Sequence, residues 1–305
     1  MKSRILTLGL AIISILTTFL ISFFRPEYGY YKYNLLYILL VLSLVLCITV
    51  FVIFIIRTFK VNNKSLTIAL LGFPRIGKTV FLTVLFNELQ KVKSDTINFL
   101  PYGNETVEKV TRDISSLQRG EWLPKTEVNQ FFYYRATTTI GNLIKRSYKL
   151  EIGDFAGERF NDLSDRQFNW LHRDVYFDYT TQSDAIFLAI SAEIFNDEYE
   201  RIEVINSTIA SLNILSQKKG YTDSQKMKEP ICLLILKSDI LYEKDKGYYL
   251  DVISDLITVC NKRSMHFKSF FVSSVGETDN NNRPVANLRP QNVIEPLLWI
   301  LKTNK

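Results

Sequence analysis

The stretch LGFPRIGKT, residues 71–79, decides the fold of this 305-residue chain. It carries the pattern G-x-x-x-x-G-K-[ST] directly after a short apolar run, residues 66–71, which predicts a strand. Glycines let the backbone curl so that successive N–H groups point at one anion, while Lys78 and the Thr79 hydroxyl can reach phosphate oxygens and a Mg²⁺ ion. A helix predicted over residues 80–92 would aim its positive end at the same anion. The segment therefore predicts a nucleoside triphosphate site between a strand and a helix.

The first 64 residues differ from the remainder of the chain. Residues 5–24 and 35–56 are apolar runs long enough to cross a bilayer as helices, and the turn between them contains four tyrosines, which suit a membrane–water boundary. Basic residues flank the two outer ends, which predicts that both termini are cytoplasmic. A cleaved signal peptide is the alternative for the first run, but no A-x-A-like site follows it. We expect a transmembrane hairpin that spans the inner membrane of a cell.

Charge and cysteine content narrow the functional classes. Residues 1–64 hold seven basic residues and one acidic residue, which accounts for the whole net charge of +6, so residues 65–305 are neutral. A nucleic-acid partner is not expected, because such a partner usually leaves a basic imbalance in the domain that binds it. Cys47, Cys232 and Cys260 have no paired spacing, which predicts a reduced compartment and no metal site built on cysteine.

Residues 65–305 are expected to form one cytosolic domain in which strands alternate with helices. This order predicts an α/β fold with a mostly parallel sheet, in which two segments around Gly141-Asn142 form an antiparallel hairpin. The predicted strands are 66–71, 130–140, 147–152, 184–191, 231–236 and 267–273, and the predicted helices are 80–92, 105–118, 200–216, 248–263 and 293–302.

Three further segments stand at the ends of predicted strands. Asp154 and Gly157 form a D-x-x-G pattern, in which the carboxylate can hold Mg²⁺ and the glycine N–H can sense a γ-phosphate. Lys237 and Asp239 follow strand 231–236, where the aspartate can accept two hydrogen bonds from a guanine edge. The loop 273–276, SSVG, follows the next strand, and its N–H groups could face the base. Each pattern alone is also typical of an ordinary turn.

Together with the first loop, these segments resemble, in this order, the conserved boxes of the translation-factor-related P-loop GTPases, to which Ras-like domains belong. The resemblance covers residues 66–305 and implies a P-loop three-layer sandwich. The family's effector-loop threonine corresponds to Thr126, because it lies just before the second predicted strand. W-L-P-x-T at residues 122–126 together with D-F-A-G-E at 154–158 most resembles bacterial double-GTPase-type domains of conflict and defence systems.

The resemblance assigns roles to individual residues. It implies Lys78 and Glu158 as catalytic residues, and Thr79, Thr126 and Asp154 as the Mg²⁺ site. Arg159, Arg166 and Arg173 are candidates for an arginine finger supplied in cis. The residues implied in nucleotide binding are Gly72, Arg75, Ile76, Gly77, Lys78, Thr79, Val80, Gly157, Lys237, Asp239 and Ser274.

Three positions depart from the family pattern. Leu236 replaces the Asn or Thr of [NT]-K-x-D, which weakens the preference for guanine and leaves ATP open as an alternative to GTP. Glu158 stands where Ras-like domains place the glutamine that orients the attacking water, so turnover is expected to be slow or dependent on a partner. Pro74 removes one loop N–H, and the Arg75 side chain beside it could face the phosphates or solvent; we expect solvent.

The sequence thus favours a membrane-anchored GTP-binding protein that acts as a slow or partner-stimulated GTPase switch, which the closest resemblance would place in a bacterial defence system. Its expected partners are the lipid bilayer and a protein effector of unknown identity. Two alternatives remain. One is a structural component of a membrane complex that binds nucleotide without turnover, and the other is a membrane-anchored P-loop ATPase.

Overall fold

The computed structural model describes residues 45–46, 48–49, 64–92, 96–127, 131–141, 146–157, 160, 175–241 and 245–303. The two predicted membrane spans lie outside these ranges, apart from Val45, Leu46, Ile48 and Thr49, which are helical. Among the described residues, none of the helices combines the length and the apolar character that a membrane crossing requires. The chain divides into two units, 1–61 and 62–305, and the second is described below.

Seven strands of the described residues form one sheet. The strands are β1 (Lys64–Leu71), β2 (Ile97–Pro101), β3 (Phe131–Ile140), β4 (Arg146–Phe155), β5 (Ala185–Ser191), β6 (Ile231–Leu236) and β7 (Phe267–Val272). Their order in the sheet is β2-β3-β4-β1-β5-β6-β7. Four of the six strand pairings are parallel, and those of β2 with β3 and β3 with β4 are antiparallel. The predicted α/β class with a mostly parallel sheet is therefore confirmed.

Helices cover both faces of this sheet, because its central strands are apolar on both faces. The helices of the described residues are α1 (Lys78–Lys91), α2 (Asn104–Gln118), α3 (Val175–Gln182), α4 (Glu198–Lys218), α5 (Lys246–Val252), α6 (Ser254–Arg263) and α7 (Glu295–Thr303). In β1, Leu66 and Ile68 pack into one core with α1, α2 and α7, whereas Ala69 and Leu71 pack into a second core with α3, α4 and α6. A strand that is buried on both faces has a continuous apolar sequence, as β5 and β6 do here.

Two elements were not predicted, and one predicted helix is divided. Strand β2 pairs only with β3 at the edge of the sheet, and its five residues include Pro101, so it has neither the length nor the alternation of a clear strand signal. Helix α3 has eight residues, of which only Tyr176 and Thr180 are buried, so its helical period is weak. The single helix predicted over 248–263 is wrong, since the fully buried Ile253 leaves helical geometry and separates α5 from α6.

The parallel strands bring the predicted motifs to one edge of the sheet. Strand β1 lies between β4 and β5 and is parallel to both, with Ala69 opposite Gly153 and Leu71 opposite Leu188. Strands β6 and β7 continue in the same direction. The loops that follow these five strands therefore leave from the same edge, on both sides of β1, which is where open α/β sheets form a ligand-binding crevice.

Candidate functional site

The loop after β1 is a tight turn that only its glycines allow. A Cβ atom at Gly72 would lie 2.5 Å from the carbonyl oxygen of Ala189 at the end of β5, and Gly77 has a left-handed φ of 95°. Helix α1 begins at Lys78, immediately after this turn. The buried Lys78 ammonium donates hydrogen bonds to the carbonyl oxygens of Gly72 and Phe73, each at 2.8 Å. The carbonyl oxygens of the loop thus hold the Lys78 ammonium group at the start of α1.

Three oxygen-bearing side chains meet beside this loop. The Thr79 hydroxyl donates to Asp154 Oδ2 at 2.8 Å and lies 3.2 Å from the Thr126 hydroxyl. The Asp154 carboxylate, at the end of β4, is buried, and its Oδ1 atom has no hydrogen-bond partner in the described part of the chain. Burial raises the pKa of Asp154, and the hydrogen bond from Thr79 and the charge of Lys78 act in the opposite direction. A buried carboxylate oxygen without a partner is costly unless something else satisfies it.

These three side chains fit a bound Mg²⁺ ion. Mg²⁺ prefers oxygen ligands and is commonly held by one or two carboxylates together with substrate phosphates and water. Asp154 supplies an unpaired carboxylate oxygen, and Thr79 and Thr126 supply hydroxyl oxygens within hydrogen-bond distance of each other. Among the described residues there is no cluster of three or more His, Cys, Asp or Glu side chains that could hold a metal without such a substrate.

The D-x-x-G segment packs directly onto the loop after β1. A Cβ atom at Gly157 would lie 2.2 Å from the Pro74 nitrogen and 2.4 Å from the Phe73 carbonyl carbon. At Gly153 a Cβ atom would lie 2.4 Å from the Phe155 ring, so the ring folds back over the strand where only glycine leaves room. Backbone contact at Gly157 therefore links the position of this segment to the position of the loop.

A cavity of about 390 Å³ lies over the loop and α1. Among the described residues that line it, four are basic, namely Arg75, Lys78, Lys125 and Lys237, and none is an aspartate or a glutamate. Its wall also includes Thr79, Val80, Thr126 and Gly157. Several cations without carboxylates around one cavity indicate a site for a polyanion.

Side chains after β6 and β7 form a separate hydrogen-bonded group. The Ser273 hydroxyl donates to Asp239 Oδ1 at 2.6 Å and accepts from the Gly276 N–H at 3.1 Å. Lys237, which has a left-handed φ of 58°, donates to Glu193 at 2.6 Å. Although burial opposes it, this bond holds the pKa of Glu193 below its ordinary value. The structure thus joins the predicted Asp239 to the loop after β7, while Lys237 alone of this group lines the cavity.

The segment 121–127 closes the cavity from the other side. Trp122, Leu123, Pro124 and Lys125 line it, and the Trp122 indole N–H donates to the carbonyl oxygen of Asn282 at 2.7 Å. The segment is thereby tied to the loop between β7 and α7. The sequence draws attention to the W-L-P-x-T pattern at residues 122–126, but it assigns a role in the site only to Thr126.

A second cavity, of about 870 Å³, also borders this segment. The lining residues that the two cavities share are Thr79, Leu123, Pro124, Lys125 and Thr126. The second lining has mixed charge, because α2 contributes both acidic and basic side chains. Asp113 of α2 is buried and accepts from Lys109 at 2.9 Å. The charged residues of the smaller cavity's lining, in contrast, are all basic among the described residues.

The remaining predicted residues fall into two groups. Ile76 is buried in the loop and Ser274 is half-buried after β7. Glu158, Arg159, Arg166 and Arg173 lie outside the described residues. The catalytic role implied for Glu158 therefore stays a prediction.

No protein-family model matches the chain, and no curated protein matches it.

Proposed function

We propose that this protein binds a nucleoside triphosphate with Mg²⁺, preferentially GTP, and hydrolyses it as a switch of the P-loop GTPase type. The observation that carries the proposal is the cavity over the loop after β1, where four basic residues and no acidic one face an anion-sized space among the described lining residues. The mostly parallel sheet with helices on both faces is compatible with a P-loop sandwich.

The phosphates would be bound by the turn and by Lys78. In the structure the Lys78 ammonium rests on two loop carbonyls, and phosphate oxygens would offer it stronger, charge-assisted hydrogen bonds. Backbone N–H groups of the turn and of the first turn of α1 would add donors at the same place. When bound, Mg²⁺ would be held by Thr79, Thr126 and Asp154 and would neutralise charge on the phosphates.

Guanine preference would come from Asp239. Its Oδ1 atom already accepts from Ser273, which orients the carboxylate, and the same carboxylate can accept from the N1 and N2 donors of guanine. Adenine presents no such pair of donors, so an oriented carboxylate favours GTP. A site built to hydrogen-bond a donor edge discriminates strongly against a base that lacks it.

The segments that contain Thr126 and Gly157 would change conformation with the state of the bound nucleotide. Thr126 lies 3.2 Å from Thr79, and Gly157 lies against Phe73 and Pro74, so both segments border the place of the terminal phosphate. Loss of that phosphate removes a shared ligand of these segments and favours their release, as in other triphosphate switches. We propose that a protein effector reads this change at a membrane to which residues 5–24 and 35–56 anchor the chain.

Competition binding followed by phosphate release tests this function on the purified full-length chain. We expect GTP to displace a fluorescent GTP analogue better than ATP does, Asp239→Ala to remove that difference, and phosphate to be released slowly. Equal displacement or preference for ATP would favour a membrane ATPase. Tight GTP binding without phosphate release would favour a nucleotide-stabilised scaffold, and binding of neither nucleotide would refute the proposal.

A further inference from the structure

Two basic residues of this site have a left-handed backbone conformation, which residues other than glycine rarely adopt. Among the described residues, four that are not glycine have a left-handed φ: Arg75, Lys237, Asn282 and Asn292. Asparagine tolerates this region, whereas arginine and lysine gain nothing from it. Arg75, with a φ of 62°, and Lys237 both line the basic cavity. Unfavourable backbone geometry is thus concentrated at the cations of the anion site, and such strain is typical of functional positions.

The Arg75 guanidinium is the cation that the protein leaves available. Lys78 is engaged by the carbonyl oxygens of its own loop, and Lys237 is paired with Glu193. Lys125, the fourth basic residue of the lining, also makes an interaction. Within the described residues no carboxylate pairs with Arg75, and no acidic residue lines the cavity. Arg75 is exposed, as expected from the sequence, and it also borders the cavity. Its charge is therefore unneutralised beside the place that the phosphates would occupy.

We propose that Arg75 is an intrinsic catalytic arginine, which contacts the triphosphate and stabilises the charge that develops during hydrolysis. This inference rests on the proposed function and deepens it. In the reaction a water oxygen bonds to the γ-phosphorus while the bond from that phosphorus to the β–γ bridging oxygen breaks. The electron pair stays on the bridging oxygen of the diphosphate, one water proton remains on the phosphate product, and the other passes to solvent.

A guanidinium suits this role because negative charge builds on the bridging oxygen, next to the terminal phosphate oxygens, as the bond breaks. A planar, permanently charged group can donate to two of these oxygens at once. Other triphosphate-hydrolysing proteins place such an arginine on a separate domain or on a partner. Here the strained turn would place it within the phosphate-binding loop itself, two residues before Gly77.

The test compares three substitutions in the full-length chain. Arg75→Ala removes the guanidinium, Arg75→Gly removes it and also relieves the left-handed geometry, and Arg75→Lys keeps a charge without the fork. Arg146→Ala is the matched control, since Arg146 begins β4, at the opposite end of that strand from Asp154. Phosphate release, GDP affinity and the affinity for GDP with aluminium fluoride, which mimics the transferring phosphoryl group, are measured for each.

We expect phosphate release to fall by at least about 100-fold in Arg75→Ala and Arg75→Gly, because an arginine in this role contributes about 10³-fold or more. Capture of aluminium fluoride should be lost in both, while GDP affinity stays within about threefold of wild type and Arg75→Gly unfolds at no lower temperature. Arg75→Lys should retain part of the rate, and Arg146→Ala should match wild type.

Two results would refute the role of Arg75 alone. One is turnover in Arg75→Ala within about threefold of wild type, and the other is an equal loss of GDP and aluminium fluoride binding, which indicates ground-state binding only. A wild-type chain that binds GTP without turnover also overturns it. Binding of neither GTP nor ATP by wild type would instead refute the proposed function itself.

Discussion

Replacing Gly157 with alanine tests whether the D-x-x-G segment must pack on the loop after β1. The added Cβ atom would lie 2.2 Å from the Pro74 nitrogen and 2.4 Å from the Pro74 Cα atom. Because non-bonded contacts are optimal near 3.5 Å, the segment or the loop must move by about 1.3 Å. The obstacle is backbone rather than a flexible side chain, so no rotamer change can relieve it.

This displacement sets the expected magnitudes. Overpacking of this kind costs about 1–3 kcal/mol, which for a domain of this size lowers Tm by about 2–12 °C. A misplacement of about 1 Å near a reacting centre can lower a rate about 100-fold. We therefore expect Gly157→Ala to reduce phosphate release by about 100-fold and to lower Tm in differential scanning calorimetry.

Gly247→Ala is the matched control for this substitution. Gly247 lies in α5, and among the described residues an added Cβ would approach only the flexible Asp245 side chain, at 3.2 Å. Alanine is favoured over glycine in a helix by up to about 1 kcal/mol, so this variant should be as stable as wild type or more so, with unchanged activity. If Gly157→Ala behaves like Gly247→Ala in both assays, the contact between the two segments does not govern the site.

Three further predictions concern the groups around the cavity. Burial raises the folded-state pKa of Asp154, so the Mg²⁺-free chain should lose stability as pH rises above about 4, the ordinary pKa of an aspartate in an unfolded chain. Asp154→Asn should abolish both this trend and the stabilisation by Mg²⁺ with GTP, and persistence of either in calorimetry would contradict the assignment. Ser273→Ala should lower the affinity for GTP about 10-fold or more and leave the affinity for ATP unchanged, because Asp239 loses a charge-assisted hydrogen bond of 2.6 Å. An equal loss of affinity for both nucleotides would argue against recognition of the base by Asp239. Trp122→Phe removes the 2.7 Å hydrogen bond to the Asn282 carbonyl oxygen and should increase the dissociation rate of fluorescent GTP severalfold in stopped-flow measurements. An unchanged dissociation rate would show that this hydrogen bond does not help to retain the nucleotide.

The sheet could be predicted from the sequence because its signals are local. A six-residue apolar run such as 231–236 is typical of a strand buried on both faces. The segments of the β3–β4 hairpin contain many β-branched and aromatic residues, which favour strands. Strand β2 could not be predicted from its own residues, because it is formed by pairing with β3, which lies more than thirty residues further along the chain. The division between α5 and α6 at Ile253 could not be predicted either, because the buried packing of Ile253 ends the helix there and no Gly or Pro marks the position.

The site was predictable only where spacing encodes chemistry. The glycines and Lys78 of the first loop have a characteristic spacing, so roles could be proposed for them from the sequence alone, and these roles stay predictions. The bond from Thr79 to Asp154 joins residues 75 positions apart, and the left-handed turn at Arg75 has no signature in residue type. Tertiary geometry therefore determines which cations remain unpaired, and the predicted solvent exposure of Arg75 could not indicate that it borders the cavity.

Calorimetric titration of the full-length chain with a non-hydrolysable GTP analogue in Mg²⁺ tests the central claim most directly. It compares wild type with Lys78→Ala and with Lys91→Ala, an exposed lysine of the same helix that pairs only with Glu88 among the described residues. We predict one binding site, a loss of at least about 100-fold in affinity for Lys78→Ala, and no change for Lys91→Ala. Equal affinities for the two variants, or no binding by wild type, would contradict a triphosphate site at the loop after β1.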